Sequence, residues 1–215
     1  MTVLTATRPS KTKERTGIDV PIWRISVAQY HQMIKAGILT DGDPVELLEG
    51  LLVEKMSKKP PHRAVTLLFR RALEHIVEGN WYVDSQEPIT TNDSEPEPDI
   101  TVIRGDTLHY LDRHPGPEDT ALVIEVADAT LRRDRGIKKR LYARAGIPVY
   151  WVVDVNKLQI EVYSQPNHQR VKPDYQQHRV YHSTEEIPVF LDGIEIGKIP
   201  VHKLLPPQLA NKTEE

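Results

Sequence analysis

Residues 121–127, ALVIEVA, then 131–145, LRRDRGIKKRLYARA, then 149–153, VYWVV, decide the fold. ALVIEVA has the near-continuous apolar character of a strand buried on both faces. The stretch from Leu131 to Ala145 is a helix, with Ile137, Leu141 and Ala145 on one stripe at about 100° per residue. Val149–Val153 is again an apolar strand. Strand, helix, strand at this length predicts a right-handed parallel crossover.

Upstream, Ser26 is placed to cap a helix through Val27, Tyr30, Met33 and Ile34 that Gly37 ends. Val45–Leu48 and Leu51–Met56 flank Glu49-Gly50, a two-residue hairpin turn. After Pro60-Pro61, the spacing of Val65, Leu68, Phe69, Ala72, Leu73 and Ile76 predicts a second helix, ending at Gly79. Trp81–Val83 and Pro88–Thr90 read as strand pieces. The stiff turn EPEP (95–98) delivers the chain into a strand over Asp99–Ile103. A polar loop spans Asp106–Asp119. Downstream, Leu158–Tyr163, Arg179–His182 and Pro188–Leu191 read as strands. The class is α/β (α+β), a mixed β-sheet flanked by helices.

With 215 residues, 39% of them hydrophobic, the chain is sized for one domain, expected over residues 20–205, with an N-terminal arm at 1–19 and a frayed tail at 206–215. The 28 basic and 31 acidic side chains leave a formal net charge of −3, so any phosphate-binding surface must be local. No cysteine is present, which removes disulfides, thiolate zinc sites and cysteine nucleophiles and makes the cytoplasm the expected compartment. No signal-like run opens the chain, and no stretch reaches the about eighteen apolar residues of a membrane span. The absence of a phosphate-cradling glycine loop and of a G-x-S-x-G elbow argues against an NTPase or an α/β-hydrolase.

Three residues resist a merely structural reading. Glu125 lies within an apolar strand, where a carboxylate needs a cation or several donors, unless it sits at the strand end facing solvent or an arginine. Asp99 opens the earlier strand behind prolines. Two carboxylates at the ends of neighbouring strands are the oxygen ligands a hard divalent ion such as Mg²⁺ requires, with Mn²⁺ as an alternative. On the following helix Asp134 and Lys138 fall on the core-facing stripe, whereas Lys139 points away. An Asp134–Lys138 ion pair is the simpler account of that spacing, but its coincidence with Glu125 on the preceding strand favours Lys138 as a third site residue. The same helix carries seven cations against Asp134 alone, so Arg133, Arg140 and Arg144 are candidate nucleic-acid contacts. His62, at a helix start, suits capping, phosphate binding or no role equally. His178 and His182 share a strand with no third ligand, which argues against zinc.

VELLEGLLVEKM, Pro61-His62, EPEPDI, LVIEVADAT and DRGIKKRLYARAGIPVYWVVD, in that order from about Val45 to Asp154, resemble the Uma-two family of bacterial endonucleases. That family lies within the PD-(D/E)XK superfamily and has the restriction-endonuclease-like fold. The resemblance implies Asp99 and Glu125 as metal ligands and Lys138 as the motif lysine, moved onto the helix because Ala127 stands two residues after Glu125. It also brings the acid of the first hairpin towards the site: Glu46, rather than Glu49 in the turn. The implied function is Mg²⁺-dependent hydrolysis of phosphodiester bonds in nucleic acid, with DNA the expected partner and a homodimer the expected state. A catalytically silent nucleic-acid-binding or assembly module on the same fold is the alternative.

Overall fold

Ser26 starts α1 (Val27–Lys35) with a capping box: its hydroxyl accepts from the Gln29 N–H at 3.2 Å, and the Gln29 side chain accepts from the Ser26 N–H at 2.8 Å. The structure, a computed structural model, describes residues 21–40, 42–167 and 171–205. The arm at 1–19 and the tail at 206–215 lie outside the described residues.

Strands β1 (Val45–Leu48) and β2 (Leu51–Glu54) form the expected antiparallel hairpin. Its two turn residues have positive φ, 49° at Glu49 and 75° at Gly50, as the right-handed strand twist favours. Gly50 is required twice over: a Cβ there would also lie 2.7 Å from Arg24 Cβ and 2.9 Å from the Ile25 carbonyl. Helix α2 (Pro60–Glu74) begins with proline, whose missing N–H would be unpaired there anyway, and buries Val65, Phe69 and Leu73.

Six strands then build one sheet in the order β3 (Trp81–Asp84), β4 (Ile100–Arg104), β5 (Thr120–Ala127), β6 (Val149–Asp154), β7 (Gln159–Asn167), β8 (Asp174–His182). Every neighbouring pair is antiparallel except β5–β6, the predicted parallel crossover. Between them runs α3 (Leu131–Arg133), a π-helical turn (Asp134–Lys138) and α4 (Lys139–Ala145), one continuous helix with a widened middle. Gly146 closes it at φ 87°, a left-handed conformation that a Cβ would strain.

Two apolar layers sandwich the sheet. On one face, α2 packs with hairpin β9 (Glu186–Leu191)–β10 (Ile194–Pro200) and the short α5 (Val201–Leu204) against Leu122, Ile124, Val126, Trp151 and Val153. On the other, Leu141, Tyr142 and Ala143 of α4 meet Val123, Ala127, Tyr150 and Val152, with Leu48 of the first hairpin. Strand alternation thus assigns Glu125, between Ile124 and Val126, to the α4 side. The fold is mixed α/β, a six-stranded mixed sheet flanked by helices. Among the described residues no helix is long and apolar enough to cross a membrane.

The structure differs most from the sequence reading in three places. Pro88–Thr90 is not a strand; its backbone bonds irregularly, Ile89 N–H to Pro96 O and Thr90 N–H to Pro115 O, within the long connection from β3 to β4. Strand β10 and helix α5 were not expected. Their residues, IEIGKIPVHKL, carry a glycine and a proline that break both periodicities, and they form by pairing with β9 and packing under α2.

Candidate active site

The β4–β5 register pairs Ile100 with Ile124 and Thr101 with Val123. Continued by one residue, it sets Asp99, just ahead of β4, opposite Glu125 of β5. Both carboxylates are buried. Asp99 Oδ2 accepts from His62 Nε2 at 3.0 Å and from the Val126 N–H at 2.8 Å, while Lys58 Nζ stands 3.6 Å from Oδ1. Burial alone would raise the Asp99 pKa; the His62 hydrogen bond and charge, the Val126 N–H and Lys58 outweigh it and hold the carboxyl below its ordinary value.

Glu125 Oε1 accepts from Lys138 Nζ at 2.8 Å and from the Tyr142 hydroxyl at 2.7 Å. Lys138 Nζ is also 3.3 Å from Glu46 Oε2. The lysine is therefore shared between carboxylates from β5 and the first hairpin, not paired within its own helix to Asp134. Burial pushes Glu125 up to about 8, against the pull of Lys138 and with the negative charges of Asp134, Asp99 and Glu46 adding to it. Burial works against the Lys138 ammonium, but Glu125, Glu46 and Asp134 more than compensate and keep it protonated.

All of these side chains but Tyr142 border a cleft of about 60 Å³ that also meets Lys55, Lys59, Asp128 and Arg133. Its interior is crowded with carboxyl groups: Glu46, Asp99, Glu125 and Asp134 are all buried, with Lys138 the buried lysine among them. Among the described residues, Glu46 Oε1 and Asp134 Oδ2 are buried with no hydrogen-bond partner, an expensive condition for a carboxylate oxygen. With Lys138 standing between Glu125 and Glu46, no three His, Asp or Glu side chains among the described residues are grouped to hold a metal ion. The donor chemistry nevertheless fits a hard cation: the candidate ligands are carboxylates, two of them have orphaned oxygens, and Asp99 Oδ1 and Glu125 Oε2 lie outside the hydrogen bonds just described.

The structure thus brings together Asp99, Glu125, Lys138, Glu46, His62 and Arg133. It does not bring Arg140 and Arg144 to the cleft. Arg140 holds Glu49 through Nε and Nη2 at 3.1 and 2.9 Å, and Arg144 reaches Glu49 at 3.1 Å and Asp93 at 2.9 Å. Arg133 Nη1 donates to the Glu54 carbonyl at 2.8 Å and lies 3.8 Å from Glu46. The helix bearing Lys138 therefore grips the first hairpin at both ends, and Glu46 lies between those grips. Tyr142 was missed by sequence reasoning although helical phase could have found it, since it lies one turn beyond Lys138 on the same face. Asp134 was assigned to the inward stripe without a site role. Lys58 gives no local signal, because only the β2–α2 connection carries it to Asp99.

A model of the Uma2 family, described as "Putative restriction endonuclease", matches residues 27–201. The chain belongs to the Uma2 family. The matched span contains each of the cleft residues named above. The fold is also that of a solved structure described as "a putative nuclease belonging to DUF820 from Anabaena variabilis ATCC 29413", with a TM-score of 0.62 and 16% identity over 84% of this chain and 97% of that one. No curated protein matches the Uma2 chain.

Proposed function

We propose that this Uma2 protein is a metal-dependent endonuclease that hydrolyses phosphodiester bonds of DNA at Asp99, Glu125 and Lys138. The observation that carries the reading is the convergence, from two paired strands and the crossover helix, of two buried carboxylates and a buried lysine 2.8 Å from one of them, at a cleft with orphaned carboxylate oxygens. Asp99 and Glu125 would hold Mg²⁺ or Mn²⁺, whose chemistry there is Lewis-acid polarisation of the phosphate and acidification of a bound water.

The chain's own residues supply the rest. His62 and the Val126 N–H fix the Asp99 carboxylate, and Tyr142 fixes that of Glu125. The Lys138 ammonium offsets negative charge gathering on the phosphoryl oxygens as water oxygen adds to phosphorus and the phosphorus–oxygen ester bond breaks. Glu46, 3.3 Å from that ammonium, helps to orient it. Purified protein with Mg²⁺ or Mn²⁺ is expected to nick supercoiled plasmid. Glu125→Ala and Lys138→Ala are expected to abolish nicking; equal background cleavage by all three proteins would refute the reading.

One observation favours a second reading, a silent nucleic-acid-binding or assembly module: Lys138 already neutralises part of the charge of Glu125 and Glu46. Calorimetry separates the two. A metal-using enzyme gives Mg²⁺ or Mn²⁺ binding heat that Asp99→Ala removes, and a module without a metal site gives none.

A further inference from the structure

We propose that the segment Lys55–Arg63, which joins β2 to the first turn of α2, is the surface along which the DNA backbone approaches the cleft. The proposal rests on the nuclease reading above and adds to it the face that carries the substrate. The segment reads KMSKKPPHR: four lysine and arginine side chains and no acid within nine residues, in a chain whose formal net charge is −3. Lys55, Lys58 and Lys59 line the cleft, and Arg63 follows on the exposed side of α2.

Lys55 is held by both carboxylate oxygens of Glu97, at 2.9 and 3.0 Å, but the pairing of Lys58 and Lys59 leaves them available. Lys58 stands 3.6 Å from Asp99 and Lys59 3.8 Å from Asp128, and their side chains are 41% and 65% exposed. Loose, hydrated pairs of this kind contribute little, so exchanging them for phosphate oxygens costs little. Across the cleft, the buried Nε of Arg133 has no hydrogen-bond partner among the described residues. Arg140 and Arg144 contrast with all of these. They hold Glu49, whose side chain is 5% exposed, and turning them towards DNA would strand a buried carboxylate. A phosphate meeting the acidic floor of the cleft alone would be repelled; a cationic rim beside it gives the polyanion a favourable approach.

The test is fluorescence anisotropy of a fluorescein-labelled single-stranded DNA oligonucleotide, titrated with the full chain in EDTA over a series of salt concentrations. Each phosphate contact on a single strand contributes about 0.7 to the slope of log affinity against log salt. Lys58→Gln/Lys59→Gln/Arg63→Gln is therefore expected to lower the slope by about 2 and the affinity at low salt roughly tenfold or more. Arg179→Gln/Lys198→Gln, which removes exposed cations of β8 and β10, is expected to leave both unchanged, with unaltered melting of both variants confirming their folds. If the rim variant binds like the wild type, or if both variants weaken binding equally, the proposal is overturned while the nuclease reading stands. If the wild type binds no DNA, both fall.

Discussion

Arg140 closes on the carboxylate of Glu49 with two parallel hydrogen bonds, Nε to Oε1 at 3.1 Å and Nη2 to Oε2 at 2.9 Å, across 91 residues of sequence. Arg24 donates to the Glu49 carbonyl, and the Glu49 N–H donates to Ser94 Oγ at 2.8 Å, so the hairpin tip is held from three sides. The β1–β2 hairpin shares no ladder with the main sheet; its link to the rest of the backbone includes a single bridge between Leu47 and Glu95. Side-chain grips on the helix therefore add to a few backbone hydrogen bonds, such as Glu95 N–H to Leu47 O at 2.7 Å, in placing Glu46.

Arg140→Ala should loosen that arrangement. It leaves Glu49 buried with only part of its cationic partners, Arg144 remaining, and is expected to cost about 1–3 kcal/mol. Chemical denaturation of the wild type and variant measures the loss. If the hairpin is placed by this grip, DNA cleavage should fall further than stability accounts for under conditions where both proteins are folded.

Tyr142→Phe removes one hydrogen bond to Glu125 and keeps the ring packed against Tyr150, 4.9 Å away between centroids. A lost hydrogen bond of about 1–1.5 kcal/mol, if it acts on the transition state, lowers kcat about tenfold. Steady-state cleavage kinetics with a matched melting curve test this; a large fall in Tm with unchanged kcat would assign the hydroxyl to packing alone.

Lys138→Met leaves Glu125 and Glu46 facing each other without their shared cation. The expected destabilisation is about 3–5 kcal/mol in EDTA. Because a bound divalent ion would supply part of the missing charge, Mg²⁺ or Mn²⁺ should restore some of the stability, by about 2.7 kcal/mol at one hundred times its Kd. Thermal melts with and without metal read this directly, and Asp99→Asn added to the variant should remove the rescue.

Away from the cleft, Glu161 predicts an acid limb in the stability curve. Burial alone would raise its pKa, but hydrogen bonds from Arg135 and Tyr163, with the Arg135 and His178 charges, hold it below its ordinary 4.5. The folded pKa is thus lower than the unfolded one. The stabilisation is present above the unfolded value and is lost as pH falls through the folded one. Glu161→Gln should be less stable than the wild type at neutral pH, with the gap closing as the solution is acidified below about pH 4. Denaturant midpoints from pH 7 downwards measure it; a gap independent of pH would mean that the carboxylate charge contributes nothing.

Much of this architecture is legible in local patterns. The Ser26 cap, the Glu49-Gly50 turn, the apolar run into Glu125 and the helical phase that selects Lys138 over Lys139 each depend on neighbours within a few residues. Lys139 indeed turns away, pairing with Asp174 at 2.9 Å, while Lys138 is buried. The same patterns misread Pro88–Thr90, where apolar Ile89 is buried by a loop packing onto the core, and passed over β10, whose order comes from β9.

What the sequence by itself determined is therefore most of the elements and the inward face of each of those, because strand alternation and helical periodicity are short-range consequences of backbone geometry. Tertiary structure alone decided which inward-facing charges meet: Asp99 with His62, Lys138 with both Glu125 and Glu46, and the arginines of the helix with Glu49 and Asp93 rather than the cleft. Those pairings join residues 13 to 95 positions apart. A basic helix offers the same composition to a phosphate or a carboxylate; only the packed hairpin, bringing buried acids within hydrogen-bonding reach, selects between them.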